Sequence, residues 1–333
     1  MDAPDAGAEE RFELALRAVR EAAWATEAVS ASWAVDEGRR ASEARAKADA
    51  SPVTVADLAA QILMAHTIGS DAPRRAEETS VPLGGPQGTA LAQSLLELVR
   101  ERWPGARPDD LRRLLDAPPP GDPRSPHWIL DPVDGTSGFL RGMQYAICLA
   151  YLEGGAPTVG VLGCPHLGPE GSPDPSPARP PGRLVAARRG SGTVEIDLAD
   201  DARRHVAAAP WRPGQVVRIG VPWEPRHANR EAVDAWLGRA GLPYKAVAVD
   251  SQAKYALVAR GDIHAYLRIP TDEARRENVW DHAAGFVVAT EAGALVTDID
   301  GHELDFTRGA TLEANRGILC ATPAVHAALL EAC

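Results

Sequence analysis

Cysteine is scarce in this 333-residue chain: Cys148, Cys164, Cys320 and Cys333 are scattered, with no CxxC pair and no clustered His/Cys spacing. That pattern argues against a disulfide framework and against a structural zinc site, and it fits a reducing, cytoplasm-like compartment. Positive charge is also in deficit. Lys plus Arg number 35 against 46 Asp plus Glu, for a formal net charge of −11. Nucleic acids and anionic membranes both demand a basic footprint, so neither is an expected partner. An anionic small substrate stays open, because bound cations invert a local field. No apolar run approaches the ~20 residues of a membrane span. The start, "MDAPDAGAEERFELALRAVREAAW", has neither the basic-then-apolar plan of a signal peptide nor the acid-poor look of a transit peptide. The expectation is a soluble, cytoplasmic protein.

What is present is 45% apolar and 24% charged residues, a globular composition long enough for two domains. Residues 10 to 47 carry Phe12, Leu16, Val19, Ala23, Val29 and Trp33 at helical spacing, one long or two shorter amphipathic helices. Pro52 breaks that pattern, and Asp57 heads a second helix. Further on, "TALAQSLLELVRERW" and "DDLRRLLD" read as helices and "HWIL" as a strand. "YAICLAYLEGGAPTVGVLGC" and "GRLVAARRGSGTVEI" read as hairpins, separated by a proline-rich loop over 165 to 181. From about 215 strands and helices alternate, closing with "ALVTDI", "HELDF", "GILCAT" and the helix "AVHAALLEA". An α+β half, 1–204, thus precedes an α/β half, 205–333.

The chemistry-bearing stretch is "WILDPVDGT". Asp131 ends an apolar strand, and Asp134 follows within a proline-containing turn. Carboxylates three apart across such a turn converge, the Val133 carbonyl points the same way, and hard cations such as Mg²⁺ want this all-oxygen set. Gly135 and Thr136 then offer amides and a hydroxyl to an oxyanion or an attacking water. A plain polar turn is the bland alternative. Asp57 and Asp281 stand where helix caps would, and Glu77 and Glu78 could be a solvated pair; the joint pattern is harder to dismiss.

"DPVDGT", followed at a distance by "WDHAAGFVVATEAGA", resembles the paired signatures of the inositol monophosphatase superfamily, Mg²⁺-dependent and lithium-sensitive phosphatases. The likeness covers about residues 10 to 325. "SPVTVAD", "GFLRGMQYAICLA", "GVLGCP", "DSQAKYALVARG" and "AYLRIP" look like its 3′(2′),5′-bisphosphate nucleotidase branch. The resemblance implies a layered αβαβα fold of two domains with the active site between them. It also implies hydrolysis of 3′-phosphoadenosine 5′-phosphate to AMP and phosphate, by a chain that is monomeric or a weak homodimer.

Carried over residue by residue, it implies that Glu77, Asp131 and the Val133 carbonyl hold one Mg²⁺. Asp131, Asp134 and Asp281 would hold a second, with a third ion near Glu77. Asp57 and Thr136 would activate water, and the Gly135 and Thr136 amides would bind the scissile phosphate. Ser251, Lys254 and Arg268 would contact the nucleotide, with His227 over its base. The pattern departs from the family in three places. Ala76 stands where glycine is usual, leaving Glu77 or Glu78 as the ligand; Ser137 replaces a common lysine; and His227 is poorly spaced. Two other readings are an inositol phosphate phosphatase and a non-catalytic nucleotide-binding regulator.

Overall fold

The computed structural model describes residues 6–35, 45–46, 52–168, 182–223, 229–272 and 274–332. Helix α1 (Ala6–Val35) buries Leu16, Val19, Val29 and Trp33 at the spacing the sequence predicts. Of the rest of that helical expectation only 45–46 are described, and they correct it, because they form a strand. Strand β1 (Arg45–Ala46) pairs antiparallel with β2 (Pro52–Val53). Helix α2 (Val55–Thr67) starts immediately after its N-cap, Thr54. Then come β3 (Arg74–Ala76), α3 (Gly85–Arg102) and α4 (Pro108–Leu115), both helices with proline in the first turn, where the missing N–H costs nothing. Strand β4 (His127–Asp134), the short α5 (Thr136–Leu140) and strands β5 (Ala146–Glu153), β6 (Ala156–Cys164), β7 (Arg183–Arg188), β8 (Thr193–Asp197) and β9 (Arg203–Val206) follow.

The later part alternates as expected: β10 (Val217–Val221), α6 (Arg230–Arg239), β11 (Tyr244–Ala248), α7 (Ala253–Ala259), β12 (Ala265–Arg268), α8 (Ala283–Glu291), β13 (Leu295–Thr297), β14 (Ile318–Ala321) and α9 (Pro323–Glu331). Strands β3 to β9 form a seven-stranded sheet in sequence order, antiparallel except for the β3/β4 pair. The other sheet has the order β11-β10-β12-β14-β13, with β10 parallel to both its neighbours.

Strand alternation sends neighbours to opposite faces, and three cores result. Leu130, Leu149 and Val161 face Leu16, Val19, Leu58 and Ile62 of α1 and α2. Ile129, Cys148 and Leu162, on the reverse face, meet Tyr255 and Val258 of α7 and Val287 and Val288 of α8, which also cover Tyr266 and Cys320 of the five-stranded sheet. The outer face of that sheet, Ile219, Leu267 and Leu319, packs on Trp236 and Leu237 of α6 and Leu329 of α9. The result is the layered αβαβα arrangement the resemblance implied.

Three local expectations need correction. Asp134 does not sit in a turn, since β4 runs through it with a register shift between Asp131 and Asp134. Pro132 has no N–H for the ladder, so it falls in this irregular stretch, and the chain reverses only at Gly135 (φ +87°). Asp281 is not the cap of α8. It ends a 3₁₀ turn, Val279–Asp281, and His282 occupies the cap position without a side-chain bond. "HELDF" forms no strand, because side chains take its backbone groups: Asp305 N donates to Asn315 Oδ1 (2.8 Å) and Asn315 Nδ2 to the Glu303 carbonyl (2.9 Å).

Candidate active site

Asp57 is N3 of α2 and fully buried. Its Oδ2 accepts from the Thr54 amide (2.8 Å) and the Thr54 hydroxyl (2.6 Å), so the capping reading holds for that oxygen. Oδ1 faces the other way and accepts from Thr136 Oγ1 at 3.2 Å, 79 residues along the chain. The Thr136 hydroxyl also lies 3.0 Å from the Val133 carbonyl, so its single proton has two acceptors to choose between.

The parallel pairing of β3 with β4 sets the next group. Ala76 stands beside Leu130, and the Glu77 amide continues the ladder to the Leu130 carbonyl (3.2 Å). This brings the Glu77 carboxyl into hydrogen-bonding contact with Asp131. Glu78 is buried as well, with its backbone clamped by Gln61 through bonds of 2.9 and 2.7 Å, but it is Glu77 whose field acts on Asp131, Asp134 and Asp281. Between the two glutamates, the geometry therefore brings Glu77 to the acidic group.

Asp131 is 1% exposed, and its Oδ1 has no hydrogen-bond partner. Burial first, then the fields of Glu77, Asp134 and Asp281, push its carboxyl well above the usual range. Burial likewise raises Asp134 to about 6, opposed by Lys254 and by the Gln252 amide, which donates to Asp134 Oδ2 at 2.5 Å. Asp281 is driven up by burial, and by Asp134 and Glu77, against the pull of Arg268. Carboxylates with this much mutual repulsion and an orphaned buried oxygen fit a site for hard cations.

Positive charge enters from the five-stranded sheet. Strand β10 connects through α6 to β11 on one side, and β11 crosses back through α7 to β12 on the other. The crevice beyond the carboxyl ends of such strands is where open α/β sheets bind ligands. Lys254, in the first turn of α7, is 5% exposed; its stem fills the space above Gly220, and its Nζ donates to the Val249 carbonyl (3.0 Å). Burial pulls its ammonium down to about 8 although Asp134 and Asp250 oppose the shift. Arg268, at the end of β12, lies 2.7 Å from Glu277 Oε2 and 4.0 Å from Asp281 Oδ2. Ser251 has φ +70° and accepts from the Ala253 amide (3.2 Å). Its Cβ would be 3.1 Å from a Cβ added at Gly135, so the two turns abut.

His227 and residues 169–181 of the proline-rich loop lie outside the described residues. Sequence reasoning missed Glu277 and Gln252. Glu277 shares a cluster with Asp281 and His282, their ligand atoms within 4.8 Å of one another. A second such cluster, Asp298, Asp300 and His302, is a turn closed on itself: Asp298 Oδ1 accepts the amides of Asp300 (3.0 Å) and His302 (2.8 Å). No described helix is long and apolar enough to cross a membrane.

The sequence profile of the Inositol monophosphatase family matches residues 10–333. A 3′(2′),5′-bisphosphate nucleotidase of Oryza sativa is 36% identical over 305 residues, covering 86% of this chain and 85% of its own. A protein of the same name from Schizosaccharomyces pombe is 34% identical over 342 residues, covering 96% and 94%. Among solved structures, CysQ from Bacteroides thetaiotaomicron, a bacterial member of the inositol monophosphatase family, superposes with a TM-score of 0.61 at 19% identity over 94% of this chain and 97% of its own. An inositol monophosphatase from Thermotoga maritima gives 0.61 at 17%, covering 97% and 96%. This chain belongs to the inositol monophosphatase family, a family of metal-dependent phosphatases.

Proposed function

We propose that the protein is a 3′(2′),5′-bisphosphate nucleotidase that hydrolyses the 3′-phosphate of 3′-phosphoadenosine 5′-phosphate, giving AMP and phosphate, and that 3′-phosphoadenylyl sulfate is a second substrate. The observation that carries the reading is the meeting of repelling carboxylates around Asp131, with its unpartnered buried oxygen, and two cations, Lys254 and Arg268, across the crevice. The named activity of the relatives supports the substrate.

In this reading Glu77, Asp131 and the Val133 carbonyl would hold one Mg²⁺, Asp131, Asp134 and Asp281 would hold a second, and a third would be held more loosely near Glu77. Such ions would supply charge neutralisation for the phosphoryl oxygens and a lowered pKa for water. Asp57, through Thr136, orients the attacking water and takes its proton, the task suited to an acceptor already bonded to that hydroxyl. Water oxygen bonds to phosphorus, the bond to O3′ breaks, and the released oxygen takes a proton from solvent. The amides of Gly135 and Thr136 bind the scissile group, at the start of a helix where amides point outward unpaired. Ser251, Lys254 and Arg268 hold the nucleotide and its uncleaved phosphate, and His227 covers the base. The halves 1–204 and 205–333 act as two domains flanking the site. The compartment is the cytoplasm, in keeping with Cys148, Cys164 and Cys320 as buried free thiols, and the assembly is a monomer or weak homodimer.

Phosphate release from 3′-phosphoadenosine 5′-phosphate, inositol 1-phosphate and inositol 1,4-bisphosphate, with Mg²⁺ and with or without Li⁺, tests the assignment. The nucleotide is expected to be preferred, and preference for inositol 1-phosphate overturns it. Asp134→Asn is expected to lose more than the ~10–100-fold typical of an outer partner of a metal ligand, with the fold intact.

A further inference from the structure

Gln252 precedes α7 and is 2% exposed. Three of its groups are committed. The backbone N–H donates to Asp134 Oδ2 at 2.5 Å. The side-chain Nε2 donates to the carbonyl of Trp280, the residue before Asp281, at 2.7 Å. Oε1 accepts from the Gly285 amide at 3.0 Å, one of the first-turn donors of α8 that no helical carbonyl can reach. Donor and acceptor therefore fix the amide's orientation, because a flip would set oxygen against oxygen and N–H against N–H. The turn that carries Gln252 is itself clamped. Asp250 accepts from the Trp223 amide (3.0 Å) and from Arg141 (3.3 Å), and Ser251 holds a left-handed conformation that an L-residue adopts only when its surroundings impose it.

We propose that Gln252 is a positioning residue: it fixes the distance between Asp134, on the seven-stranded sheet, and Asp281, ahead of α8, and so sets the geometry of the second cation site. The proposal rests on the reading of Asp134 and Asp281 as ligands of one ion. Its backbone restrains the first carboxylate, and its side chain holds the peptide that carries the second. Outer partners of this kind orient ligands and tune affinity.

Mn²⁺ binding to the full chain, followed by the paramagnetic resonance of free Mn²⁺ alongside thermal melting, tests it. Gln252→Met keeps the volume and the backbone N–H but removes both side-chain bonds. One ion is expected to bind ~10–100-fold more weakly while the others are unchanged, and the fall in kcat/KM at low Mg²⁺ is expected to recover at high Mg²⁺. A purely structural role would lower the melting temperature without separating the ions. Wild-type affinity for every ion in a folded Gln252→Met, or equal weakening of all of them, overturns the proposal. Should that variant not fold, Gln252→Glu, which keeps the acceptor for Gly285, decides on the same criteria. Asp134→Asn separates the two levels. If it retains every affinity and full turnover, the ligand reading falls and the proposal with it. If it loses an ion while both Gln252 variants bind normally, only the positioning role falls.

Discussion

Lys254 and Glu277 are charges held in place by opposite balances. For Lys254 burial wins, and the ammonium titrates near 8. A folded-state value below the ordinary 10.5 means that the folded chain binds fewer protons between about 8 and 10.5, so this group's contribution to stability rises with pH across that window. In the proposed function Lys254 holds the uncleaved phosphate, and that grip would move the other way. KM for the bisphosphate is expected to rise above about pH 8, and Lys254→Met to raise KM about tenfold or more at pH 7 while abolishing that limb, both read from KM–pH profiles. For Glu277 burial would raise the carboxyl, but Arg268 and His282 overcome it and hold it at about 2. That stability is fully present above the unfolded value near 4.5 and is lost as pH falls toward 2. Glu277→Gln is expected to cost on the order of 3 kcal/mol in urea unfolding at pH 7, with the difference from wild type shrinking through that window. An equal cost at pH 7 and pH 3 would refute the linkage.

At the scale of elements, β4 and α8 bring the aspartates together, and both depend on small residues. Gly135 takes φ +87° where β4 ends and α5 begins, a conformation that disfavours any Cβ. Gly285 lets α8 lie directly on α7: a Cβ there would come 2.2 Å from Tyr255 Cδ2. Tyr255 also bonds His282 Nδ1 through its hydroxyl (2.9 Å), beside Asp281, so overpacking at Gly285 is transmitted to the acidic site. Gly285→Ala is expected to destabilise by ~1–3 kcal/mol and to raise the Mg²⁺ concentration needed for half-maximal turnover. A normal metal requirement would show that α8 absorbs the shift without moving Asp281. Helices and hairpins were largely legible in the sequence because 3.6- and 2-residue apolar periods are local. The course of Asp131–Asp134 was not, since a Pro-containing acidic run reads as a turn until β5 is there to pair with it.

Across the whole molecule, a buried ion network fastens the seven-stranded sheet to the region after α7. Glu195 of β8 faces Arg183 (3.4 Å), Arg204 (3.1 Å) and the fully buried Arg260 (3.2 Å), while Arg260 also pairs with Asp262. Removing the central acid leaves Arg183 and Arg260, whose side chains are buried, with one fewer counter-charge at low dielectric. Glu195→Ala is expected to cost about 3–5 kcal/mol in urea unfolding, against roughly ±0.5 kcal/mol for substitution of an exposed acid such as Asp200. A loss of surface size would mean that water reaches the network.

The linear chain already carries the oxygen donors. Asp131, Asp134, Gly135 and Thr136 lie within six residues, and short-range spacing with characteristic turn residues survives in one dimension. It also determined the alternating strands and helices from which the layers are assembled. That Glu77 rather than Glu78 meets Asp131 was settled by folding, because it depends on the register of β3 on β4. Nor could the sequence disclose Gln252, whose partners Asp134 and Trp280 stand 118 and 28 residues away. Hydrogen bonds across such separations leave no periodic trace. They exist only once the two sheets and α8 have closed on one another.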